Sequence, residues 1–258
     1  MFQFDYIPLF AIAFFLVIIA LLEIGRRIGE RRIRDDPEGA HTGVGAIEGA
    51  IFGLLGLLIA FTFSGAAERM GYRRTLIVAE TNAMGTAWLR LDLLPAASQP
   101  ALRELFRDYV DQRIGYFHNL HDPALADGKM LRSNALQNEL WTKSVAALEQ
   151  MPAPAVGVSL LQALNEMIDI TTTRSVAMQT HPPLVIYLLL AGLTLISSLF
   201  IGFGMAGGKR RNWLHSTGYA LTMVTALYVI IDFELPRLGV IRVDQVDQVM
   251  VDLRATLG

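Results

Sequence analysis

Four stretches of the chain are almost continuously apolar, and they separate membrane-spanning parts from polar parts. They cover residues 6–22, 49–67, 183–207 and 213–231. Each is close to the roughly 20 residues with which a helix crosses about 30 Å of hydrocarbon. Because lipid offers the backbone no hydrogen-bonding partner, spans of this kind form helices. The pattern predicts four transmembrane helices, with a signal anchor as the alternative for the first.

The region between the second and third spans, residues 68–181, carries charged residues and apolar positions at helical spacing. One apolar stripe continues the second span as a single long helix that Pro95 ends, and it consists of Tyr72, Leu76, Ala79, Ala83 and Ala87. Three more helices are predicted: one capped by Ser98, one around residues 136–148 and one around 160–168, with a loop at 119–129. The predicted fold is an all-α membrane protein with four transmembrane helices and a four-helix extramembrane bundle.

This pattern divides the chain into four parts. They are the first two spans with a basic loop (1–67), the helical extramembrane region (68–181), the last two spans (182–232) and an amphipathic tail (233–258) that lies on the membrane or packs on a neighbour. Only 18% of the residues are charged, against about 25% in soluble domains, which supports a membrane location. The net charge of −2 gives no basic excess for nucleic acid, and the chain has no cysteine.

Glycines recur along the second span at Gly45, Gly49, Gly53 and Gly56. Their spacings of four, four and three residues place them on one helix face. Small residues at this spacing let a second helix approach closely, which drives association in lipid. The face is therefore expected to pack against another helix, either around a symmetry axis or within one subunit.

Large apolar side chains alternate with these glycines, and Leu57 and Phe61 lie one turn apart among them. A ring of such side chains around an axis can close a channel by dewetting, and aromatic ring edges carry partial positive charge that suits anions. Lipid contact or a buried bundle is the alternative explanation, because apolar residues are expected in any membrane helix.

Charged residues flank the second span. Glu48 lies at its start, and Arg69, Arg73 and Arg74 follow its end as candidate pore-mouth charges. The basic loops at residues 26–34 and 209–211 indicate cytoplasmic loops, which places residues 68–181 on the outer side.

No enzyme motif is present: the sequence lacks a Gly-rich phosphate loop, a nucleophile elbow and a zinc-hydrolase motif. His118 and His121 have metal-ligand spacing, but Pro123 indicates that their helix is ending. We therefore predict no catalytic residue, no metal and no cofactor.

Three stretches carry a family resemblance: LLGLLIAFTFSGAAERMGYRRTLIVAETNAMGTAWLRLDLLP, LNEMIDITTTRSVAMQTHPP and IDFELPRLGVIRVDQ. They resemble a bacterial family of bestrophin-like domains of unknown function, over residues 43–257. This family is distantly similar to the bestrophins, pentameric anion channels with four membrane helices per subunit. In AFTFSGAAERMGYRR, Arg69 falls on an arginine that two tryptophans follow in bestrophins, whereas Met70 and Gly71 follow it here.

The resemblance implies an oligomeric, pentameric channel in a bacterial inner membrane, selective for small inorganic anions and lined by the second span. The bestrophin hydrophobic neck falls on Gly53, Leu57 and Phe61, where the glycine departs from the apolar pattern. It also implies a cytosolic position for residues 68–181, opposite to the one that the loop charges favour. The alternative hypothesis is a membrane-anchored helical sensor or scaffold without a pore, which a monomer would favour.

Overall fold

The structure is a computed structural model, and it describes residues 7–36, 44–208, 212–235, 240–241 and 243–258. Within these ranges the chain is almost wholly helical and contains no strand, which confirms the all-α prediction. Its helices are α1 (Ile7–Asp35), α2 (Val44–Arg90), α3 (Gln99–His118), α4 (Pro123–Glu149), α5 (Val158–Gln179), α6 (Leu184–Gly204), α7 (Trp213–Glu234) and α8 (Asp244–Thr256). Short 3₁₀ helices cover Leu91–Leu93, Pro154–Gly157 and Met205–Gly207.

Four helical stretches of the described chain are long and apolar enough to cross a bilayer, as predicted. They are Pro8–Asp35, Gly45–Leu93, Val158–Gly207, which includes both α5 and α6, and Trp213–Glu234. The 47 residues of α2 form one continuous helix, as the apolar stripe predicts. At 1.5 Å per residue this helix is about 70 Å long, more than twice the hydrocarbon thickness, so it extends well beyond the bilayer.

Two boundaries differ from the prediction. The loop expected at residues 119–129 is wrong from residue 123 onward, because α4 begins at Pro123 and the Asp122 side chain caps it by accepting the Leu125 N–H at 3.2 Å. Aspartate followed by proline is thus a helix start here, with proline at the first helical position. The first helix also continues past residue 22, supported by ion pairs four residues apart between Glu23 and Arg27 and between Arg26 and Glu30.

The first compact unit comprises Met1–Met70 and His181–Ile241. Its tightest helix pair is α1 with α6, which glycines bring together. A Cβ atom added to Gly202 would lie 2.0 Å from the Leu22 carbonyl oxygen, and one added to Gly25 would lie 2.0 Å from that of Leu199. Since no side chain fits at such distances, the two backbones touch, as small residues permit in membrane helices.

The second compact unit comprises Gly71–Thr180 and Arg242–Gly258. It has one apolar core to which the C-terminal part of α2 and the helices α3, α4, α5 and α8 contribute. The most buried side chains of this core include Phe106, Tyr109, Leu136, Leu140, Leu164, Met167 and, from α8, Met250. The helix α8 therefore packs within this unit.

Candidate functional site

One strip of α2 is left uncovered by the rest of the described chain. A Cβ atom added to any of its four glycines would have no neighbour within 4 Å, and these are Gly45, Gly49, Gly53 and Gly56. Beside them Leu57 is 51% exposed and Phe61 67% exposed. The opposite side of the same helix is buried, at Leu55, Thr62, Ala66 and Met70.

This strip includes all three residues of the predicted constriction. Gly53, Leu57 and Phe61 follow one another at four-residue spacing and are all exposed. The packing of glycines within one subunit, which the sequence left open for α2, occurs instead at Gly25 and Gly202. The α2 strip is thus available to something outside a single chain.

Glu48 lies in the second turn of α2 and is half-buried. Its Oε1 atom is buried and has no hydrogen-bond partner among the described residues. The end of α6 is close by, since a Cβ atom on Gly204 would lie 3.7 Å from Oε1. Glu48 is therefore packed against a neighbouring helix end and is not a freely exposed charge. The basic residues 209–211 that follow α6 lie outside the described residues.

The charge of Arg69 is compensated within the first unit. Its Nε and Nη2 atoms donate to Glu234 Oε1 at 2.8 and 2.5 Å, and Glu234 is 3% exposed. The other oxygen of Glu234 lies 3.3 Å from His181 Nδ1. Arg69 thus joins α2 to the end of α7 by a charge-assisted bond, which is stronger than a neutral one.

Arg73 and Arg74 differ although they are adjacent. Arg73 is buried in the second unit and donates to the carbonyl oxygens of Ala177, at 3.1 Å, and Thr180, at 2.9 Å. These carbonyls belong to the C-terminal end of α5, where a cation satisfies unpaired acceptors and the helix dipole. Arg74 is exposed, and no ion pair involves it within the described ranges. Of the three arginines predicted at a pore mouth, Arg74 alone has no partner of this kind among the described residues.

A charged network lies in the core of the second unit. Glu80 is fully buried; its Oε1 accepts from Arg113 Nε at 2.7 Å and its Oε2 from Arg174 Nη1 at 2.5 Å. Arg174 also donates to Asp247 Oδ1 at 3.0 Å. This network joins two guanidinium groups to two carboxylates and connects α2, α3, α5 and α8.

Aromatic side chains enclose this network. The Arg174 guanidinium carbon lies 3.5 Å from the centre of the Phe117 ring, a cation–π contact. Burial by itself would lower the pKa of Arg113, but the adjacent Glu80 carboxylate outweighs it and holds that pKa above its usual value. Burial likewise raises the pKa of the Tyr109 phenol, whose oxygen accepts from Gln137.

This network was not predicted from the sequence, although the positions of two of its residues indicate it. Glu80 lies four residues after Leu76 on the buried side of α2, and Arg113 lies four residues before Phe117 on the buried side of α3. A charged residue at a position where the helical pattern demands an apolar one indicates a buried partner.

Metal binding finds no support in the described ranges, where no group of three or more His, Asp or Glu side chains could hold an ion. His118 and His121, at the end of α3 and just beyond it, are both exposed.

The fold and the buried network together indicate an integral membrane protein with four apolar helices and a helical unit whose apolar core encloses a charged network. The family model described as a Bestrophin-like domain matches residues 12–247. The chain therefore belongs to the bestrophin-like domain family, which confirms the resemblance noted from the sequence.

A solved structure shares this fold. It is the crystal structure of a bacterial bestrophin homolog from Klebsiella pneumoniae, in a variant with one tyrosine replaced by alanine. The TM-score is 0.67 at 15% sequence identity, over 95% of this chain and 98% of that one. At this identity the likeness establishes the fold alone. No curated protein matches the chain.

Proposed function

We propose that the chain assembles as a homo-oligomer, a pentamer by its resemblance to bestrophins, that conducts small inorganic anions across a bacterial inner membrane. In this assembly α2 of each copy faces the symmetry axis. Gly53, Leu57 and Phe61 line the pathway, and the two large side chains form its narrowest part.

The observation that carries this proposal is the uncovered strip of α2. It combines small residues, to which another helix can come close, with two exposed large apolar side chains. Helices in lipid associate through close packing of small residues, because the lipid itself is as apolar as they are. Cyclic symmetry then brings the same strip from every copy to one axis.

Phe61 and Leu57 suit a constriction that closes by dewetting, since neither offers a hydrogen bond to water or to an ion. The positive edges of the Phe61 rings favour anions over cations in such a ring. Arg69 and Arg73 contribute little to this preference, because Glu234 and the end of α5 already engage them.

The test is to replace Phe61 with alanine and record currents from the purified oligomer in planar bilayers. Removing the ring widens and wets the constriction, so we expect a larger single-channel current than in the unchanged protein. The matched control is Leu16→Ala on α1, because Leu16 is similarly exposed, at 59% against 67% for Phe61. This control is expected to leave the current unchanged.

Two results would contradict the proposal. One is a verified oligomer that stays silent in both the unchanged and the Phe61→Ala forms. The other is a monomer in mild detergent, which would favour a membrane-anchored sensor or scaffold.

A further inference from the structure

A groove runs along the exposed side of α5 in the second unit. It has a volume of about 530 Å³, and it is lined by Tyr72 of α2 and by Asp169, Thr172, Thr173, Val176, Ala177 and Thr180 of α5 and its C-terminal end. None of these lining residues is basic. Among the described residues, the groove is therefore lined by one carboxylate, several hydroxyls and an exposed phenol, while the nearby Arg73 guanidinium is already bound to the carbonyl oxygens of Ala177 and Thr180.

The polar atoms of this groove are arranged to accept hydrogen bonds. The Thr173 hydroxyl donates to the Asp169 carbonyl and the Thr180 hydroxyl to the Val176 carbonyl, so their oxygens keep only acceptor capacity. Within the part of the chain that the structure describes, Asp169 receives one hydrogen bond, from Asn165 at 3.0 Å, which leaves its other oxygen open to a further donor. An occupant that matches this chemistry is a cation with several N–H donors, and the Tyr72 ring adds a face on which a guanidinium can stack.

Arg74 is such a cation, and it lies on the other flank of α2. Tyr72 and Arg74 are two residues apart, which places them about 160° from each other around the helix axis. Arg73 between them points inward to the end of α5. Arg74 therefore cannot reach the groove of its own chain, although it is exposed and next to it in sequence.

A ring of identical subunits resolves this arrangement. In a cyclic oligomer each interface joins one flank of a subunit to the opposite flank of the next. With the exposed residues Gly71, Thr75 and Val78 of α2 facing the axis, Arg74 lies on one lateral flank and Tyr72 on the other. We propose that the Arg74 guanidinium of each copy enters the groove of the neighbouring copy and pairs there with Asp169. This inference rests on the proposed homo-oligomer.

The experiment is a charge exchange, read out as the mass of the purified protein in mild detergent. Arg74→Asp and Asp169→Arg, each alone, place like charges at every interface. We expect either change to weaken association by about tenfold or more. The double variant Arg74→Asp with Asp169→Arg restores opposite charges and should recover the oligomer. Lys143→Glu on α4 and Glu104→Arg on α3 are controls, since both are exposed charges outside the groove.

Each outcome decides the matter. Loss of the oligomer in both single variants and its recovery in the double variant support the pairing. Oligomers that survive both single changes overturn it, as does a double variant that stays dissociated. An intact Arg74→Asp oligomer with altered ion selectivity also overturns it and makes Arg74 a pore-mouth charge. A monomeric unchanged protein would instead contradict the homo-oligomer itself, so the two failures are distinguishable.

Discussion

Replacing Glu80 with glutamine is expected to destabilise the protein by about 3–5 kcal/mol, because it breaks a buried ion pair from one side only. Glu80 is the carboxylate shared by Arg113 and Arg174, and all three side chains are buried. Glutamine keeps the size of the side chain but removes its charge, so among the described residues Arg113 loses its carboxylate partner, whereas Arg174 still pairs with Asp247. The expected loss of stability is therefore electrostatic, because the volume of the side chain is almost unchanged.

Thermal unfolding of the detergent-solubilised protein measures this effect. A loss of this size corresponds to a fall in melting temperature on the order of 10 °C, since about 1 kcal/mol shifts a domain of such size by roughly 2–4 °C. Glu104→Gln on α3 is the matched control, an exposed glutamate with an expected shift near zero. Equal melting temperatures for the two variants would mean that the buried network contributes little to stability.

Gly202→Ala is expected to separate α1 from α6. The added Cβ atom would lie 2.0 Å from the Leu22 carbonyl oxygen and 2.7 Å from its carbon, both of them backbone atoms that cannot rotate away. Overpacking typically costs about 1–3 kcal/mol, and we expect a loss at or above the upper end because a whole helix must move.

Gly192→Ala on the same helix is the control, because a Cβ atom there would meet nothing within 4 Å. Alanine is the better helix former, so this control is expected to leave the melting temperature unchanged or slightly higher. If both variants unfold at the same temperature, the close contact of α1 with α6 is not what holds the pair together.

The sequence predicts the helical fold well, because lipid imposes simple rules on it. A span must be apolar, about 20 residues long and helical, and these constraints can be read directly from residues 49–67 or 213–231. The continuation of α2 beyond the membrane is equally readable, since the stripe from Tyr72 to Ala87 keeps helical spacing without a break.

Partners across space are harder to predict than helices. A periodic pattern indicates which side of a helix is buried, but it does not identify the residue on the other side. Arg69 and Arg73 follow the second span, where basic residues are expected at a pore mouth. In the structure, however, Glu234 binds Arg69, and carbonyl oxygens at the end of α5 bind Arg73. Those partners are 165 and 104 positions away in the sequence, a separation that no local pattern reveals.

The closely packed glycines show the same limit. The regular spacing of glycines in α2 predicts close helix packing, although a side chain would fit at each of those positions within one chain. The backbone contact occurs instead at Gly25 and Gly29 in α1, within a segment whose glutamates and arginines read as a loop. Both glycines lie on the α1 face that meets α6, and the charged residues between them pair along the helix.

The central claim, that the exposed strip of α2 faces a common axis, can be tested by spin labelling. The chain has no cysteine, so Phe61→Cys and Leu16→Cys each give one unique labelling site per subunit. Pulsed dipolar spectroscopy on the reconstituted protein then measures distances between labels on different copies. We predict clearly shorter distances for position 61 than for position 16. Equal distances at the two positions, or no dipolar coupling at position 61, would contradict the claim.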